Sequence, residues 1–341
     1  MTVQIPCRST RKSTPRRLRR LATAAITAAV AATPALAQTA AYPARPIALI
    51  VPFPAGGPSD ALARGIARHM GEQLGQTIVI ENLAGAGGTV GLARAAKATP
   101  DGYTLALGTI GTHVANVALY RKLPYDPVAD FRPVGMAGSA PLLLLARAGL
   151  PASNLQQFSA WLRSHAGKAT YGSAGVGSVS HYGCGMLLAA MKQEVTHAPY
   201  RGVAPAISDL MGGQIDFMCD QTTTALPQLA GGKIKALAVL SGERLKQLPA
   251  VATAKEAGYP LDLRSWNALF VPKGTPDAIV ARLNTALAAA SAEPSLRRQM
   301  QAVGVELPAP GTTAPDLVSD QIARGLRDDV PALKARGQFL D

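Results

Sequence analysis

Side chains that could take part in catalysis occur together in the second half of the sequence. One short segment contains Ser173, Ser178, Ser180 and His181, and Asp220 lies further along the chain. These residue types could supply a nucleophile, a general base and an orienting acid, as in a hydrolase that uses Ser178 or Ser180 with His181. No G-x-S-x-G motif surrounds any of these serines, so the sharp turn that exposes such a nucleophile is not indicated. Hydrolysis is therefore a minor alternative.

A glycine loop near residue 56 could bind an anion without any catalysis. Ile47 to Val51 is a β-branched apolar run, which is typical of a buried strand. The irregular segment Phe53 to Gly57 follows, and Pro58-Ser59-Asp60 then predicts the start of a helix in which Asp60 acts as a capping residue. Strand, loop and helix start together present unpaired backbone N–H groups at the positive end of a helix, which favours negative charge.

The remaining motifs argue against a cofactor or a metal. The segment AGAGGTVG has Val90 where the dinucleotide fingerprint requires its third glycine, and no acidic residue follows for a ribose. Asp60 and Asp220 are far apart in sequence, so a pair of carboxylates for acid–base catalysis is not evident. Neither a P-loop nor a metal-ligand cluster is present. The loops carry hydrogen-bonding groups with almost no formal charge. This composition favours binding of a polar solute through backbone amides, hydroxyls and water, and we expect no cofactor and no metal.

Composition predicts a globular protein of two domains that does not bind nucleic acid. The 341 residues are 48% hydrophobic and 16% charged, which suits a sizeable core. The formal charge of +13 falls to +6 once residues 1–37 are set aside, because that segment holds seven basic residues and no acid. Aromatic residues make up only 5% of the chain, and no basic cluster follows residue 37, so a nucleic-acid surface is not indicated.

The first 37 residues have the features of an export signal. A basic segment ends at Arg20, an apolar alanine-rich stretch runs from Leu21 to Ala32, and the small residues of Ala35-Leu36-Ala37 follow. We predict cleavage after Ala37 and a periplasmic protein. Arg16-Arg17 raises the twin-arginine route, but the basic Arg19 does not fit that pattern, so ordinary Sec export is favoured.

The cysteines leave two interpretations open. Cys7 is removed with the signal, whereas Cys184 and Cys219 remain in an oxidising compartment where a disulfide could persist. Two free buried thiols are favoured over a disulfide bond. The spacing of the cysteines resembles no zinc site.

Alternating strands and helices predict two α/β lobes. The predicted strands are 47–51, 77–81, 103–107, 169–171, 195–198, 215–219 and 234–240, and the last predicted helix is 314–327. Two apolar runs, 134–146 with a break at Pro141 and 263–271, are predicted to cross between the lobes. Residues 38–142 and 263–341 would form lobe 1 and residues 143–262 lobe 2, each with a mostly parallel sheet flanked by helices. The loops at the carboxyl ends of the strands would line one cleft.

Several motifs in a fixed order resemble one protein family. They are YPARPIALIVPFPAGGPSDALAR from Tyr42 to Arg64, GAGGTVG, PDGYTLALGTIGTH, LPYDPVADFRPV, YGSAGVGSVSH, APYRGVAPAISDLMGGQIDFMCD and FVPKGTP. With these motifs the chain resembles the Bug-type extracytoplasmic solute receptors, the periplasmic binding components of tripartite tricarboxylate transporters. The resemblance covers residues 42 to about 332, which is essentially the whole chain after the signal.

The resemblance implies a fold, a ligand class and partners. The fold would be the two-lobe periplasmic-binding-protein fold, type II-like, which closes about a hinge of crossover strands. The ligand would be a small carboxylate, presented by the closed receptor to membrane permease subunits of a tripartite transporter. We expect a monomer and no enzymatic activity. A sensory receptor that passes its closed state to a signalling protein is the alternative within the same fold.

The resemblance also implies the residues of the ligand site. In chain order they are Phe53, Ala55, Gly56, Gly57, Ser59, Asp60, Thr109, Gly111, Thr112, His113, Ser173, Gly175, Ser178, His181, Tyr200, Arg201, Gly202 and Asp220.

Individual roles within this set follow from the same resemblance. Phe53 would pack on the solute while the loop amides hold one carboxylate, and Arg201 would be the cation of the site or form an exposed ion pair. Asp220 would bind an amino or hydroxyl group of the ligand or hold a loop amide. His113 would contact the ligand or only begin a helix.

Overall fold

The computed structural model describes residues 1–4, 6 and 42–335 of the chain. The predicted export signal, its cleavage point after Ala37 and the fate of Cys7 therefore lie outside the described residues. The architecture below is that of residues 42–335.

Strands and helices alternate along this part of the chain, as the sequence predicts. The strands are β1 Ile47–Val51, β2 Ile78–Asn82, β3 Thr104–Thr109, β4 Phe131–Arg147, β5 Thr170–Ser173, β6 Thr196–Pro199, β7 Phe217–Gln221, β8 Ile234–Val239 and β9 Arg264–Pro272. The helices are α1 Pro58–Leu74, α2 Thr89–Ala96, α3 Asn116–Leu119, α4 Leu155–Ser164, α5 Val179–Met191, α6 Val203–Met211, α7 Thr222–Leu229, α8 Asp277–Ala292, α9 Pro294–Ala302 and α10 Pro315–Lys334. A single 3-10 turn, Ala86–Gly88, and a π-helical turn, Gly111–Ala115, precede α2 and α3.

The first lobe is built on the strand order β2-β1-β3-β9-β4. β1 pairs in parallel with β2 and β3, while β9 runs antiparallel to β3 and β4. Ile47, Leu49 and Val51 are buried, which explains why an uninterrupted apolar run forms this strand. Because β1, β2 and β3 point the same way, the loops that follow them lie at one edge of the sheet.

The second lobe repeats this arrangement with the strand order β4-β7-β5-β6, and β8 also pairs with β4. β5 is parallel to both β6 and β7, and β4 is antiparallel to β7 and β8. The loops after β5, β6 and β7 therefore share one edge, as those of the first lobe do.

The long strand β4 belongs to both lobes. Its first part, Phe131 to Pro141, pairs with β9, and its last part, Leu142 to Arg147, pairs with β7 and β8. The predicted break at Pro141 is wrong, because the strand continues through the proline. Pro141 is the last residue paired with β9, so its missing N–H falls where one ladder gives way to the next. The predicted lobe boundary at residue 142 coincides with this change of partner and stays a prediction.

Buried apolar side chains lie on both faces of the sheet. In the first lobe Leu49 packs with Leu283 of α8, and in the second lobe Leu145 packs with Ile207 of α6. A further cluster contains residues of both lobes, among them Trp266 of β9 and Leu142 of β4. Because this cluster has members in both lobes, the two lobes share part of one apolar core. Burial of each side chain of this size stabilises the folded state by about 1.5–3 kcal/mol.

Helix α10 contacts both lobes. Gly325 lies directly against Val114 of the first lobe, and the Tyr182 hydroxyl of α5 donates a hydrogen bond of 2.9 Å to the Asp329 carboxylate. The predicted end of this helix at residue 327 is wrong by two turns, because the helix continues through Pro331 to Lys334. Burial of Val330 and Leu333 against the core stabilises these added turns despite the proline.

Cys184 and Cys219 form a disulfide bond, so the favoured interpretation of two free thiols is wrong. Cys184 lies on the face of α5 that packs on β7, and the two Cα atoms are 5.2 Å apart. Both residues are completely buried. The bond joins the helix that begins at Val179 to the strand that carries Asp220.

Within the described ranges, no helix is both long and apolar enough to cross a membrane. The same residues contain no group of three or more His, Cys, Asp or Glu that could hold a metal ion.

The disulfide predicts a measurable loss of stability on its removal. Replacing both cysteines with alanine should lower the free energy of unfolding by about 3–4 kcal/mol, because the bond closes a loop spanning a separation of 35 residues. Urea unfolding of the protein without residues 1–37 checks this value. Thiol titration of the unfolded protein should find no free thiol before reduction and two after it; two thiols without reductant would contradict the bond.

Candidate ligand-binding site

A cavity of about 500 Å³ lies between the loop that follows β1 and the loops of the second lobe. The first lobe contributes Phe53 to Ser59 to its wall, and the second lobe contributes the rest. The second-lobe lining residues are Ala174, Ser178, Val179, Ser180, Arg201, Gly202, Val203, Ala204, Pro205, Ile207, Ser208, Met211, Asp220, Gln221, Thr223, Thr224, Pro227 and Gln228.

Four helices of the described chain begin at this cavity. Lining residues come from the first turns of α1 (Ser59), α5 (Ser180), α6 (Ala204) and α7 (Thr223). The first N–H groups of a helix have no partner within the helix, and its dipole places a partial positive charge there. One such terminus favours an anion by about 0.3–1 kcal/mol, so four of them give the cavity a positive potential without formal charge.

Asp60 holds the glycine loop in place and does not line the cavity. Its carboxylate accepts hydrogen bonds from the Gly56 amide at 2.9 Å, from Arg64 Nε at 2.8 Å and from Asn82 Nδ2 at 2.9 Å. Asn82 Nδ2 also donates to the Phe53 carbonyl at 3.1 Å. Burial alone would raise the pKa of Asp60, but the bonds from Arg64, Gly56 and Asn82 outweigh it and lower the pKa below its usual value. The carboxylate thus reaches back to a loop amide, which is a variant of the predicted capping role.

The loop amides are arranged differently from the prediction. The Gly56 amide is bonded to Asp60, and the Gly57 amide donates to the Pro54 carbonyl at 3.4 Å, so both are used within the protein. The N–H of Ser59 lies in the first turn of α1 and has no helical partner. Its hydroxyl donates to Asn267 Oδ1 of β9 at 3.2 Å, which fixes this turn against the sheet of the first lobe.

Two serines shape the second-lobe wall. Ser178 is the N-cap of α5, where its hydroxyl accepts from the His181 amide at 3.3 Å and donates to the Gly175 carbonyl at 2.6 Å. Ser180 Oγ accepts from the Ala174 amide at 2.8 Å and lies 3.0 Å from Ser178 Oγ. His181 Nδ1 accepts from the Gly177 amide at 3.2 Å. These bonds serve the loop and the helix start.

Asp220 is the one acidic residue among the described residues that line the cavity. It is only 1% exposed, and burial raises the pKa of its carboxyl group to about 7, although a hydrogen bond from the Thr224 hydroxyl and one from the Gln221 backbone lower it. The carboxyl group is therefore largely protonated below neutral pH. In that form it can donate a hydrogen bond to an anion.

Arg201 is the one basic lining residue in the described part of the chain. It is exposed, and it forms no ion pair with any described residue, which argues against the alternative of an exposed ion pair. The next residue, Gly202, lies against Pro54 of the first lobe: a Cβ added there would be 3.0 Å from Pro54 Cγ. Arg201 therefore stands where the two lobes meet.

The structure brings half of the predicted site residues into the cavity. The lining residues are Phe53, Ala55, Gly56, Gly57, Ser59, Ser178, Arg201, Gly202 and Asp220. Gly175 and Tyr200 line a neighbouring cavity of about 600 Å³, and Tyr200 donates to Asp209 at 2.7 Å. The remaining predicted residues, which line neither cavity, are Asp60, Thr109, Gly111, Thr112, His113, Ser173 and His181.

Some of these remaining residues support the site from behind. His113 is fully buried and stacks on Phe270 with ring centroids 4.1 Å apart, and burial lowers its pKa to about 3. Thr112 Oγ1 bonds to His113 Nδ1 at 2.9 Å and accepts from the Thr109 amide at 2.9 Å. Ser173 Oγ bonds to His197 Nε2 at 2.7 Å.

The lobes touch each other through glycine residues. A Cβ added at Gly111 of the first lobe would lie 2.5 Å from the Gly177 carbonyl oxygen of the second, and one at Gly87 would overlap the Val176 carbonyl. The Tyr120 hydroxyl also donates to the Val176 carbonyl at 3.3 Å. The structure is therefore a closed arrangement in which backbone meets backbone.

The prediction missed the lining residues on α6 and α7. Val203, Ile207 and Met211 are spaced four residues apart on α6, and Thr223 and Pro227 have the same spacing on α7. This spacing places each set on one helix face, which the sequence could have indicated. The sequence could not indicate which face lies over the cleft.

Comparison with known proteins identifies the family. Residues 62–327 match the family model described as "Tripartite tricarboxylate transporter family receptor". The chain belongs to this receptor family. The family is periplasmic, and its members are solute-binding proteins, so the protein is not an enzyme and the hydrolase alternative is excluded.

Solved structures of other receptors are similar over their whole length. MatC from Rhodopseudomonas palustris, with bound malate, is 41% identical with a TM-score of 0.82, and the match covers 86% of this chain and 100% of MatC. The periplasmic binding protein BugD is 36% identical with a TM-score of 0.82, covering 88% and 100%. The protein Rpa4515 of R. palustris, with adipate, is 33% identical with a TM-score of 0.82 and the same coverage. These likenesses confirm the Bug-type resemblance and the two-lobe periplasmic-binding-protein fold.

The buried carboxyl group of Asp220 makes stability depend on pH. In the unfolded chain its pKa is about 3.8, so between about pH 4 and 7 the folded receptor binds a proton that the unfolded chain does not, and stability falls as pH rises. Asp220→Asn should match the wild type near pH 4 and be more stable by up to about 4 kcal/mol above pH 8. Urea unfolding across pH measures this difference.

The matched control is Asp320→Asn, which changes an exposed carboxylate on α10. It should not reproduce the gain in stability that Asp220→Asn is expected to show above pH 8. A wild type and an Asp220→Asn variant that remain parallel from pH 4 to 8 would show that Asp220 titrates normally.

Proposed function

We propose that the protein captures a small carboxylate in the cavity between its lobes and presents it to the membrane subunits of a tripartite tricarboxylate-type transporter. The observation that carries this proposal is the convergence of four helix N-termini on one cavity. Membership of the receptor family supports the transporter partner.

The electrostatics of the cavity support an anionic ligand. The positive ends of α1, α5, α6 and α7 face it, and Arg201 adds the one formal positive charge among the described lining residues. Asp220, the one acidic group among the described lining residues, is largely neutral below pH 7 because burial raises its pKa. A carboxylate therefore meets donors and little repulsion, whereas a cation would meet the reverse.

The walls support retention of the solute without chemistry. Phe53 and Pro54 supply an apolar surface, while Thr223 supplies a buried hydroxyl group that is bonded to no described residue. A polar solute can be held at this wall by direct hydrogen bonds and by bridging waters, because a water-mediated hydrogen bond is nearly as favourable as a direct one. The relatives MatC and Rpa4515 hold malate and adipate, which are acids of this kind.

Closure about β4, the strand that belongs to both lobes, would bury the solute. The contacts of Gly111 with Gly177 and of Gly87 with Val176 exist only when the lobes are together. In our proposal these contacts form the closed state that the membrane partner recognises. The periplasmic location of the family supports export, and we propose cleavage of the signal after Ala37.

A thermal-shift and calorimetric screen tests the ligand class. Mono-, di- and tricarboxylates should include a stabilising ligand, because a ligand that binds only the folded state raises its stability. Arg201→Gln should weaken that ligand about five- to tenfold, with a larger effect at low salt, because a charge-assisted contact is lost. The control is Arg298→Gln on the exposed surface of α9, which should leave affinity unchanged. Stabilisation only by neutral sugars or cations would exclude the proposal.

A small side chain at Gly111 should hinder closure selectively. Gly111→Ala places a Cβ against the Gly177 carbonyl, and overpacking of this kind costs about 1–3 kcal/mol, so the dissociation constant of the stabilising carboxylate should rise roughly 5- to 150-fold. The melting temperature without ligand should change less than the affinity, since the tightest contact of the added Cβ is with the opposite lobe and Thr109 Oγ1 of its own lobe is 3.3 Å away. Small-angle X-ray scattering should show that the ligand no longer compacts the variant.

The control for this variant is Gly231→Ala, which lies on the exposed surface after α7, where an added Cβ meets only the Gln228 carbonyl at 3.4 Å. It should bind and compact like the wild type. Full affinity and full compaction of Gly111→Ala would contradict the glycine contacts as determinants of closure.

A further inference from the structure

The binding cavity continues beyond the helix N-termini along two helices of the second lobe. On α6 it is lined by Val203, Ile207 and Met211, which recur every four residues and so lie in one stripe. On α7 it is lined by Thr223 and Pro227 in the same relation. Eight residues of helix span about 12 Å, so the cavity extends about this far from the charged end.

The two ends of this extension differ in polarity. The near end contains the helix N-termini, Arg201 and Asp220. The far end contains Ile207, Met211 and Pro227, with the uncharged Ser208 and Gln228 at its sides. No described residue that lines the far end carries a charge, whereas Arg201 precedes the N-cap of α6 and belongs to the near end.

The size of the cavity fits a ligand longer than a four-carbon acid. Cavities of roughly 300–1,000 Å³ bury ligands of drug size, and this one has about 500 Å³. Each methylene of an extended chain adds about 1.3 Å, as standard carbon–carbon bond lengths give, so a 12 Å groove accommodates a tail of roughly six to nine carbons.

We propose that the solute is an amphipathic monocarboxylate: its carboxylate lies at the N-termini of α1, α5, α6 and α7, and its alkyl or aryl tail lies between α6 and α7. This inference rests on the proposed function and specifies the ligand of the same site. A second carboxylate at the far end would lose water against Ile207 and Met211 without gaining a cation, which is unfavourable. An apolar tail gains free energy in the same place.

A chain-length series measured by calorimetry tests the proposal. With butanoate, hexanoate and octanoate the dissociation constant should fall about two- to fourfold per added methylene, as burial of a methylene gives. Succinate, adipate and suberate should bind more weakly than the monocarboxylates of equal length.

Met211→Lys tests the far end of the cavity through a change in ligand preference, which a general loss of affinity would not produce. Met211 is half-buried at the far end, so the fold can accept a long side chain whose amine reaches water. The variant should bind octanoate at least fivefold more weakly and suberate at least fivefold more tightly than the wild type. The control is Met186→Lys, a half-buried methionine on α5 that does not line the cavity, and it should leave both affinities unchanged.

The outcomes separate this inference from the proposed function. If short diacids bind and the dissociation constants of monocarboxylates do not depend on chain length, the tail site is wrong and the carboxylate receptor stands. If no carboxylate of either series binds while neutral solutes do, both are wrong. The tail site is supported if the wild type shows the chain-length dependence and if Met211→Lys, but not Met186→Lys, comes to prefer suberate over octanoate.

Discussion

The meeting of four helix N-termini at one cavity is the interaction on which the rest of this structure depends. Unpaired N–H groups and aligned peptide dipoles produce a positive potential there with almost no charged side chains. A formally charged pocket of equal strength would carry a large desolvation cost on closing. Partial charges on backbone groups avoid much of this cost, and under the proposed function they would let the lobes close over an anionic solute.

The topology of the fold brings these helices together. Each of α1, α5, α6 and α7 follows a strand, and the strands of each lobe that precede them are parallel to one another, so each helix begins at the same edge of its sheet. Strand β4 continues from the first sheet, where it pairs with β9, into the second, where it pairs with β7 and β8, and so links the two sheets. Asp60 and the Cys184–Cys219 bond then fix individual helix starts: the first orders the glycine loop before α1, and the second joins α5 to the strand that leads into α7.

Much of this arrangement was predictable from local patterns. The buried strand at Ile47, the helix start at Pro58 and the alternation that gives two lobes follow from periodicity and capping chemistry, and they are confirmed. The role of Asp60 was only partly predictable, because its partner Asn82 is 22 residues away. The face of α6 that meets the cleft depends on how the whole helix packs, and no local signal specifies it.

Other differences have the same origin in tertiary packing. His113 follows a strand, as ligand-binding residues often do, yet its ring stacks on Phe270 of a strand more than 150 residues later. The disulfide depends on the approach of α5 to β7, which the spacing of two cysteines does not reveal. Pro141 continues a strand because two different ladders meet there, and this exchange of partners exists only in the folded sheet.

The glycine contacts between the lobes have a consequence for the divergence of such receptors. Where main chain touches main chain, the mating surface is the same whatever side chains face the solute. Substitutions inside the pocket can therefore change which solute is bound while the contacts between the closed lobes stay the same. Receptors with this architecture can diverge in ligand specificity through single pocket substitutions that leave domain closure intact.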